Sequence, residues 1–440
     1  LSRKNGGSVG KGWEDHDAFV IANVHVVDPA GERVAPGAVH VAKGKIEGVL
    51  APGEEPEGAP RFDGGGLHVA PGFVDMHVHL REPGQEWKED VASGTRAARA
   101  GGFTSVACMP NTDPAADEPS VIEFVRRRAQ EAGHCRVYPV AAATVGRKGE
   151  VLTEFAALRE SGAVAVSDDG APVEDLGVLR RVFEYGSLQG LPYLSHPEDR
   201  SLSAGGCVHE GYWSTRLGLP GVPREAEEVA VEREIRLLEK VGGRLHLCHV
   251  HARGSVESVR RAKERGLAVT AETAPHYLSL DHRNLEGYLT EFKMNPPLGA
   301  EEDREALVAA VADGTIDAIA TDHAPHSEIE KQVEFDRAPF GVTGLETAFA
   351  VVVTHLVRPG HLTLNRAVRL LTVRPARILG LEGGTLAAGS PADLALFDPD
   401  EEWEVTRDGF RSRSKNSPYV GTRLHGKVAG TFLGGRWLEA

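Results

Sequence analysis

Phe73-Val74-Asp75-Met76-His77-Val78-His79 runs directly into Leu80-Arg81-Glu82-Pro83-Gly84. An apolar, strand-like run therefore ends in two histidines one residue apart. Alternate residues of a β-strand share a face, so His77 and His79 can present two imidazoles to one metal ion with no turn between them. Taken alone, the pair is equally well explained by two hydrogen-bonded interior histidines. Further donors at comparable places in the chain decide between these readings.

On either side of this run, short apolar stretches alternate with longer amphipathic ones. The pattern predicts strands over 73–79, 103–109, 136–143, 163–167, 192–195, 244–249, 267–272 and 316–321. Helical patterns over 88–100, 118–132, 175–188, 225–241, 254–265 and 301–312 separate them. Eight strands in that rhythm predict an α/β fold, a (β/α)8 TIM-type barrel. The competitor is a doubly wound open sheet, but no Gly-x-Gly-x-x-Gly opens a helix after any of these strands, so dinucleotide binding has little support.

The two ends of the chain have a different texture. Residues 17–70 and the stretch after 383 carry short alternating runs broken by Gly and Pro, such as Phe19-Val20-Ile21 and Leu394-Ala395-Leu396-Phe397. Together they predict one small β-sandwich domain, 17–70 with 384–440, flanking a barrel over 71–383. Residues 1–16 read as an N-terminal extension outside both. Leu1 to Gly12 are polar and Gly-rich, so no signal peptide is expected.

With 440 residues, 41% hydrophobic and 26% charged, the chain is predicted to be globular and soluble, and it holds no apolar stretch long enough to span a bilayer. A net charge of −15 argues against a nucleic acid or an anionic membrane as the main partner. Cys108, Cys135, Cys207 and Cys248 form no Cys-x-x-Cys pair and suit a reducing cytoplasm, where their expected role is packing.

In a barrel the chemistry sits at the carboxyl ends of the strands. Strand one ends in His77 and His79, strand four in Ser167-Asp168-Asp169-Gly170, strand five in Ser195-His196, strand six in His249, and strand eight in Thr321-Asp322-His323. Each has an ordinary reading when taken singly: a buried histidine, a turn aspartate, a helix cap. Coincidence at five strand ends favours a metal site of four imidazoles and two carboxylates. Nitrogen and hard oxygen donors suit Zn²⁺, and their number exceeds one tetrahedral shell, so two ions sharing a bridge are expected. Two ions about 3.5–4 Å apart can hold a bridging hydroxide and polarise a carbonyl. His251 makes a second His-x-His with His249, but strand six should end near His249, which leaves His251 in the loop.

Several longer stretches carry a family resemblance. His77 through Gly84, Met109-Pro110-Asn111-Thr112, Ser195-His196-Pro197-Glu198-Asp199, His209-Glu210-Gly211, Thr270 through His276, Lys293 through Leu298, Ala320 through His326, and Pro339 through Glu346 together resemble the bacterial dihydroorotases of the amidohydrolase superfamily. The resemblance extends from about residue 17 to the end. It implies the reversible cyclisation of N-carbamoyl-L-aspartate to L-dihydroorotate, the ring-closing step of pyrimidine (UMP) biosynthesis. It further implies two Zn²⁺ per subunit on His77, His79, Asp169, His196, His249 and Asp322, bridged by Asp169 and hydroxide. Many members of the superfamily bridge their metals with a carboxylated lysine on strand four. Here the only lysine between residues 136 and 192 is Lys148, in the loop after strand three. An aspartate bridge is thus implied, at Asp169 because it immediately precedes Gly170, with Asp168 bracing the turn.

The resemblance makes Asp322 the general base, taking a proton on attack and returning it to the amide nitrogen. The substrate keeps a carboxylate outside the reacting amide, and a planar guanidinium suits that group, so Arg81 is its expected clamp. Asn111, Asn295, His326 and the backbone of Phe340 and Gly341 are implied to join it. Segments 275–300 and 323–345, rich in Pro, Gly and His, read as active-site loops, one of which could close over substrate. The rival readings are another cyclic amidase, allantoinase or hydantoinase, and an inactive homologue serving as an assembly subunit of aspartate transcarbamoylase. A homodimer and an association with aspartate transcarbamoylase are the partners the resemblance implies.

Overall fold

A computed structural model describes Trp13, Glu14 and residues 16–440, so most of the expected extension lies outside the described residues. Near the N-terminus β1 (Ala18–Asp28) pairs antiparallel with β2 (Arg33–Ala42), and β2 with β3 (Lys45–Leu50). The short strands β4 (Arg61–Asp63) and β5 (His68–Pro71) run parallel to β1.

After Gly72 the chain enters β6 (Phe73–Val78), buried at all six positions, as is β7 (Phe103–Cys108). Strands with both faces covered belong to a parallel sheet wrapped in helices. The sheet continues through β8 (Arg136–Ala142), β9 (Ala165–Ser167) and β10 (Tyr193–Ser195). A two-stranded excursion, β11 (Val208–His209) with β12 (Gly221–Val222), follows before β13 (Leu245–Leu247), β14 (Val269–Thr273) and β15 (Ala318–Ile319). The eight barrel strands lie side by side in chain order. The seam between first and last is bridged by a parallel Val78–His323 contact and by His79 N donating to His323 O at 2.9 Å. Met76, Ala107, Val140, Ala165, Leu194 and Ala318 fill the interior, so the barrel is plugged by side chains beneath its mouth.

The predicted strands and helices fall close to these elements, and the differences have local causes. The helix predicted from residue 88 begins at Val91 because Asp90 caps it, its side chain accepting from Ser93 N while Ser93 Oγ accepts from Asp90 N. Strands predicted to reach 249 and 321 stop at Leu247 and Ile319. Beyond them His249 and Asp322 take φ of 36° and 45°, which breaks the extended chain.

At the other end of the chain, β16 (Leu394–Glu404), β17 (Arg423–Leu433) and β18 (Arg436–Glu439) join the N-terminal strands, with β16 pairing antiparallel to β5. The expected sandwich is one mixed sheet in the order β18-β17-β16-β5-β1-β2-β3, with β4 on β1. It curls over its own core: Phe62 of β4 reaches Trp437 of β18 with ring centroids 5.0 Å apart. Trp13, 4% exposed, lies edge-on to Phe62 and Phe432 in that core. Gly72 marks the junction of sheet and barrel. A Cβ there would stand 2.0 Å from Thr104 Oγ1, so only glycine allows the approach. Among the described residues no helix is long and apolar enough to cross a membrane.

Candidate metal centre

The buried carboxyl ends of β6, β9, β10, β13 and β15 bring His77, His79, Asp169, His196, His249 and Asp322 together. His77 Nε2 lies 3.3 Å from Asp169 Oδ1 and 3.6 Å from Asp322 Oδ1. His79 Nε2 is 3.0 Å from Asp322 Oδ1 and 3.6 Å from Asp169 Oδ2. On the far side His196 Nδ1 approaches Asp169 Oδ1 at 3.7 Å and His249 Nε2 at 2.8 Å. Two sets of donor atoms, His77-Asp169-His249 and His77-His79-Asp322, each fall within 4.8 Å of one another. They overlap at His77, as two adjacent positions would. A third set, His77-Cys248-Glu272, is a weaker candidate, because burial pushes the Cys248 thiol up and keeps it protonated.

Three of the four remaining ring nitrogens are held from outside, while His249 Nδ1 is buried with no hydrogen-bond partner among the described residues. His77 Nδ1 bonds Glu272 Oε1 at 2.9 Å, His79 Nδ1 bonds Asn111 Oδ1 at 2.8 Å, and His196 Nε2 bonds Glu198 Oε2 at 2.9 Å. Such carboxylate and carbonyl partners fix the ring and tautomer of a metal-ligating histidine, leaving the inner nitrogen as donor. Burial would raise the Glu272 carboxyl, yet its bonds to His246 and His77 pull it down to about 2. Glu198 is likewise drawn to about 2, its burial outweighed by His196.

The donor set fits a cation. His77 Nε2 and Asp169 Oδ1 are buried with no hydrogen-bond partner among the described residues. Buried polar atoms are seldom left so. Burial alone would favour neutral groups, but Asp169 and Asp322 raise the His77 imidazole well above its ordinary range, and His77 in turn holds both carboxyls well below theirs. The field that favours a proton on His77 favours a divalent ion in its place. Arg81, His249 and Asp322 also hold positive φ of 59°, 36° and 45°, rare for residues with a Cβ and costly by about 1–3 kcal/mol each.

Asp168 stands apart from this cluster. Its Oδ1 accepts from Ala143 N at 2.8 Å and Thr144 N at 3.0 Å, and its Oδ2 meets the Thr144 hydroxyl, so it braces the loop after β8. His251 also lies elsewhere, bonded to Glu227 through both its ring and its backbone.

Beside the cluster, the buried Arg81 donates from Nε to Pro325 O at 3.2 Å, and its Nη2 stands 3.4 Å from His326 Nε2. His326 Nε2 bonds Phe340 O at 2.8 Å. Burial and the charges of Arg81 and Lys88 lower this imidazole to about 2, so it is neutral at physiological pH. Gly341, at φ 128°, donates its N–H to Lys293 O at 3.0 Å. Asn295 Nδ2 is 3.3 Å from the outer nitrogen of His196, Nε2, and Asn111 Nδ2 is 3.5 Å from Asp169 Oδ2, so both amides also border the cluster. Sequence reasoning assigned no role to Glu272 or Glu198. Both stand within quoted motifs, and the usable signal for Glu272 was an acid near the carboxyl end of a barrel strand. A carboxylate aimed outward at a ligand's second nitrogen has no spacing of its own.

Two family models match the chain: Dihydro-orotase-like over residues 66–255 and Amidohydrolase family over residues 226–437. The dihydroorotase of Anaeromyxobacter dehalogenans is 51% identical over 422 residues, 96% of this chain and 97% of that protein. The dihydroorotase of Pelotomaculum thermopropionicum is 50% identical over 411 residues, 93% and 96% of the two chains. Among solved structures, the L-hydantoinase (dihydropyrimidinase) of Arthrobacter aurescens aligns at TM-score 0.85 with 25% identity over 96% of each chain. The dihydropyrimidinase of Brevibacillus agri aligns at 0.80 with 22% identity over 96% of this chain and 95% of its own, a likeness of fold.

Proposed function

Since the chain belongs to the dihydroorotase family of amidohydrolases, we propose that it interconverts N-carbamoyl-L-aspartate and L-dihydroorotate, with Zn²⁺ at the centre, in pyrimidine biosynthesis. The observation that carries this reading is the joining of four imidazoles and two carboxylates at one barrel mouth with a buried arginine beside them.

His77, His79, Asp169, His196, His249 and Asp322 would hold two ions, with Asp169, which faces His77, His79, His196 and His249, as the shared ligand. When bound, the metals supply an activated water and polarise the amide carbonyl. Asp322 receives the attacking water's proton on its carboxylate and hands it to the departing ring nitrogen; the same transfers run backwards in cyclisation. The carboxylate is held well below its ordinary range, so at rest it is ionised. Arg81 presents its guanidinium to the substrate carboxylate, its plane fixed by the bond to Pro325 O. His326, Asn111, Asn295 and the backbone at Phe340 and Gly341 complete the pocket.

The test is one preparation assayed for dihydroorotate hydrolysis, carbamoyl-aspartate cyclisation and zinc content. Turnover with about two Zn²⁺ per chain is expected. Turnover of hydantoins or allantoin alone would favour the cyclic-amidase rival, and a metal-loaded but inert protein the assembly subunit. A homodimer, an association with aspartate transcarbamoylase and a cytoplasmic location are further parts of the proposal. The four buried, unpaired cysteines support the last.

A further inference from the structure

Between β16 and β17 the chain leaves the mixed sheet and crosses to the barrel mouth. The crossing segment is pinned along its length. The Glu346 carboxylate accepts from Arg411 N at 2.8 Å and Ser412 N at 3.0 Å. Glu89 accepts from Arg413 N at 3.1 Å and from the Ser412 hydroxyl, and Ser414 Oγ donates to Lys88 O at 2.6 Å.

At its tip stands Asn416, 4% exposed. Its Oδ1 accepts from His326 N at 3.2 Å, its Nδ2 donates to Gly341 O at 3.0 Å, and its own carbonyl accepts from Thr343 N at 3.1 Å. One side chain thus ties the loop after β15 to the loop that carries Phe340 and Gly341. Asparagine suits this place chemically, because the two bonds require a donor and an acceptor on one short planar group; aspartate lacks the donor. The tied loops have little slack. A Cβ at Gly341 would lie 2.7 Å from Ala324 O and 3.2 Å from the His326 ring, so the Gly341 backbone already presses on the segment whose far end Asn416 holds.

We propose that Asn416 is a positioning residue for substrate: it sets the separation of His326 from the Phe340–Gly341 backbone and so the fit of the pocket edge beside Arg81. This rests on the reading of His326, Phe340 and Gly341 as substrate contacts. It makes substrate affinity depend on a residue contributed by the C-terminal segment rather than by the barrel.

The test uses the zinc-loaded full-length protein and steady-state hydrolysis of dihydroorotate, with metal content and thermal midpoint read on each preparation. Asn416→Ala is expected to raise KM by about tenfold with a smaller change in kcat and full metal content, the signature of lost substrate positioning. Ser414→Ala, which removes a pin of the same segment away from the pocket, is expected to leave KM unchanged. In a His326→Ala background the Asn416→Ala effect should shrink, because the two residues act through one loop. If Asn416→Ala does not fold, Asn416→Ser, able to keep at most one of the two bonds, is read in its place with the same expected rise. An unchanged KM in a folded, metal-loaded Asn416 variant overturns the proposal. So does an equal rise in KM with equal loss of metal and thermal midpoint in both the Asn416 and Ser414 variants. Wild-type protein with no dihydroorotate turnover overturns the dihydroorotase reading, and this proposal with it.

Discussion

In the proposed mechanism Asp322 has to be acidic enough to face two histidines and basic enough to take a proton during attack. Its surroundings serve the first need: burial would raise the carboxyl, but His77 and the bond to His79 hold it down. Asp322→Asn keeps the shape and removes the proton acceptor, so kcat is expected to fall by about 10²–10⁴-fold with metal content falling far less. A variant that turns over normally would remove Asp322 from the role of base. Arg81→Ala should act differently, raising KM far more than it disturbs metal content, because in the proposed mechanism the guanidinium binds the substrate carboxylate rather than the ions. Elemental analysis beside the kinetics separates the two, and parallel loss of metal would assign Arg81 a structural role. These side chains were legible because ligands and charged clamps are restricted residue types. The choice between Asp168 and Asp169 came from a resemblance and not from spacing; both are acids at one strand end, and only the fold shows that one braces Ala143 and Thr144 while the other meets the histidines.

Strand ends, more than strands, organise the site. The apolar runs were readable because parallel strands are buried on both faces, yet β13 and β15 end two residues earlier than predicted because His249 and Asp322 turn with positive φ. That turn aims both donors inward, which a straight continuation would not do. On β14, Glu272 links His77 to His246, its Oε1 on His77 Nδ1 at 2.9 Å and its Oε2 3.3 Å from His246 Nε2. Glu272→Gln should weaken zinc binding by about 10–100-fold, read by chelator competition, because the ring of His77 loses its anionic partner. Unaltered affinity would show that packing alone orients His77. No pattern in the sequence marks this bond, since its two residues stand 195 positions apart.

For the molecule as a whole, the buried charges give stability a pH dependence. Glu234, on the helix Glu225–Val241, is 1% exposed, and burial lifts its carboxyl from 4.5 to about 7 against the opposing pull of Ser195, Arg233 and His196. A folded-state value above the unfolded one means that this group's contribution is fully present below about pH 4.5 and is lost as pH rises through about 7. Glu234→Gln should therefore be more stable than the parent at pH 8, by up to about 3 kcal/mol, with a smaller difference at pH 5. Denaturant unfolding at both values checks it, and an equal difference at the two would show that Glu234 does not titrate in this range. The sequence by itself determined the barrel, the return of the C-terminus to the N-terminal strands and the histidines and acids that stand at the strand ends, because periodicity and residue type are local properties of a chain. Only the tertiary structure decided which aspartate faces the histidines, which acids hold their outer nitrogens, and that Asn416 reaches the barrel mouth from the C-terminal segment. Those are contacts between residues far apart in the chain, and their geometry exists only once the strands have packed.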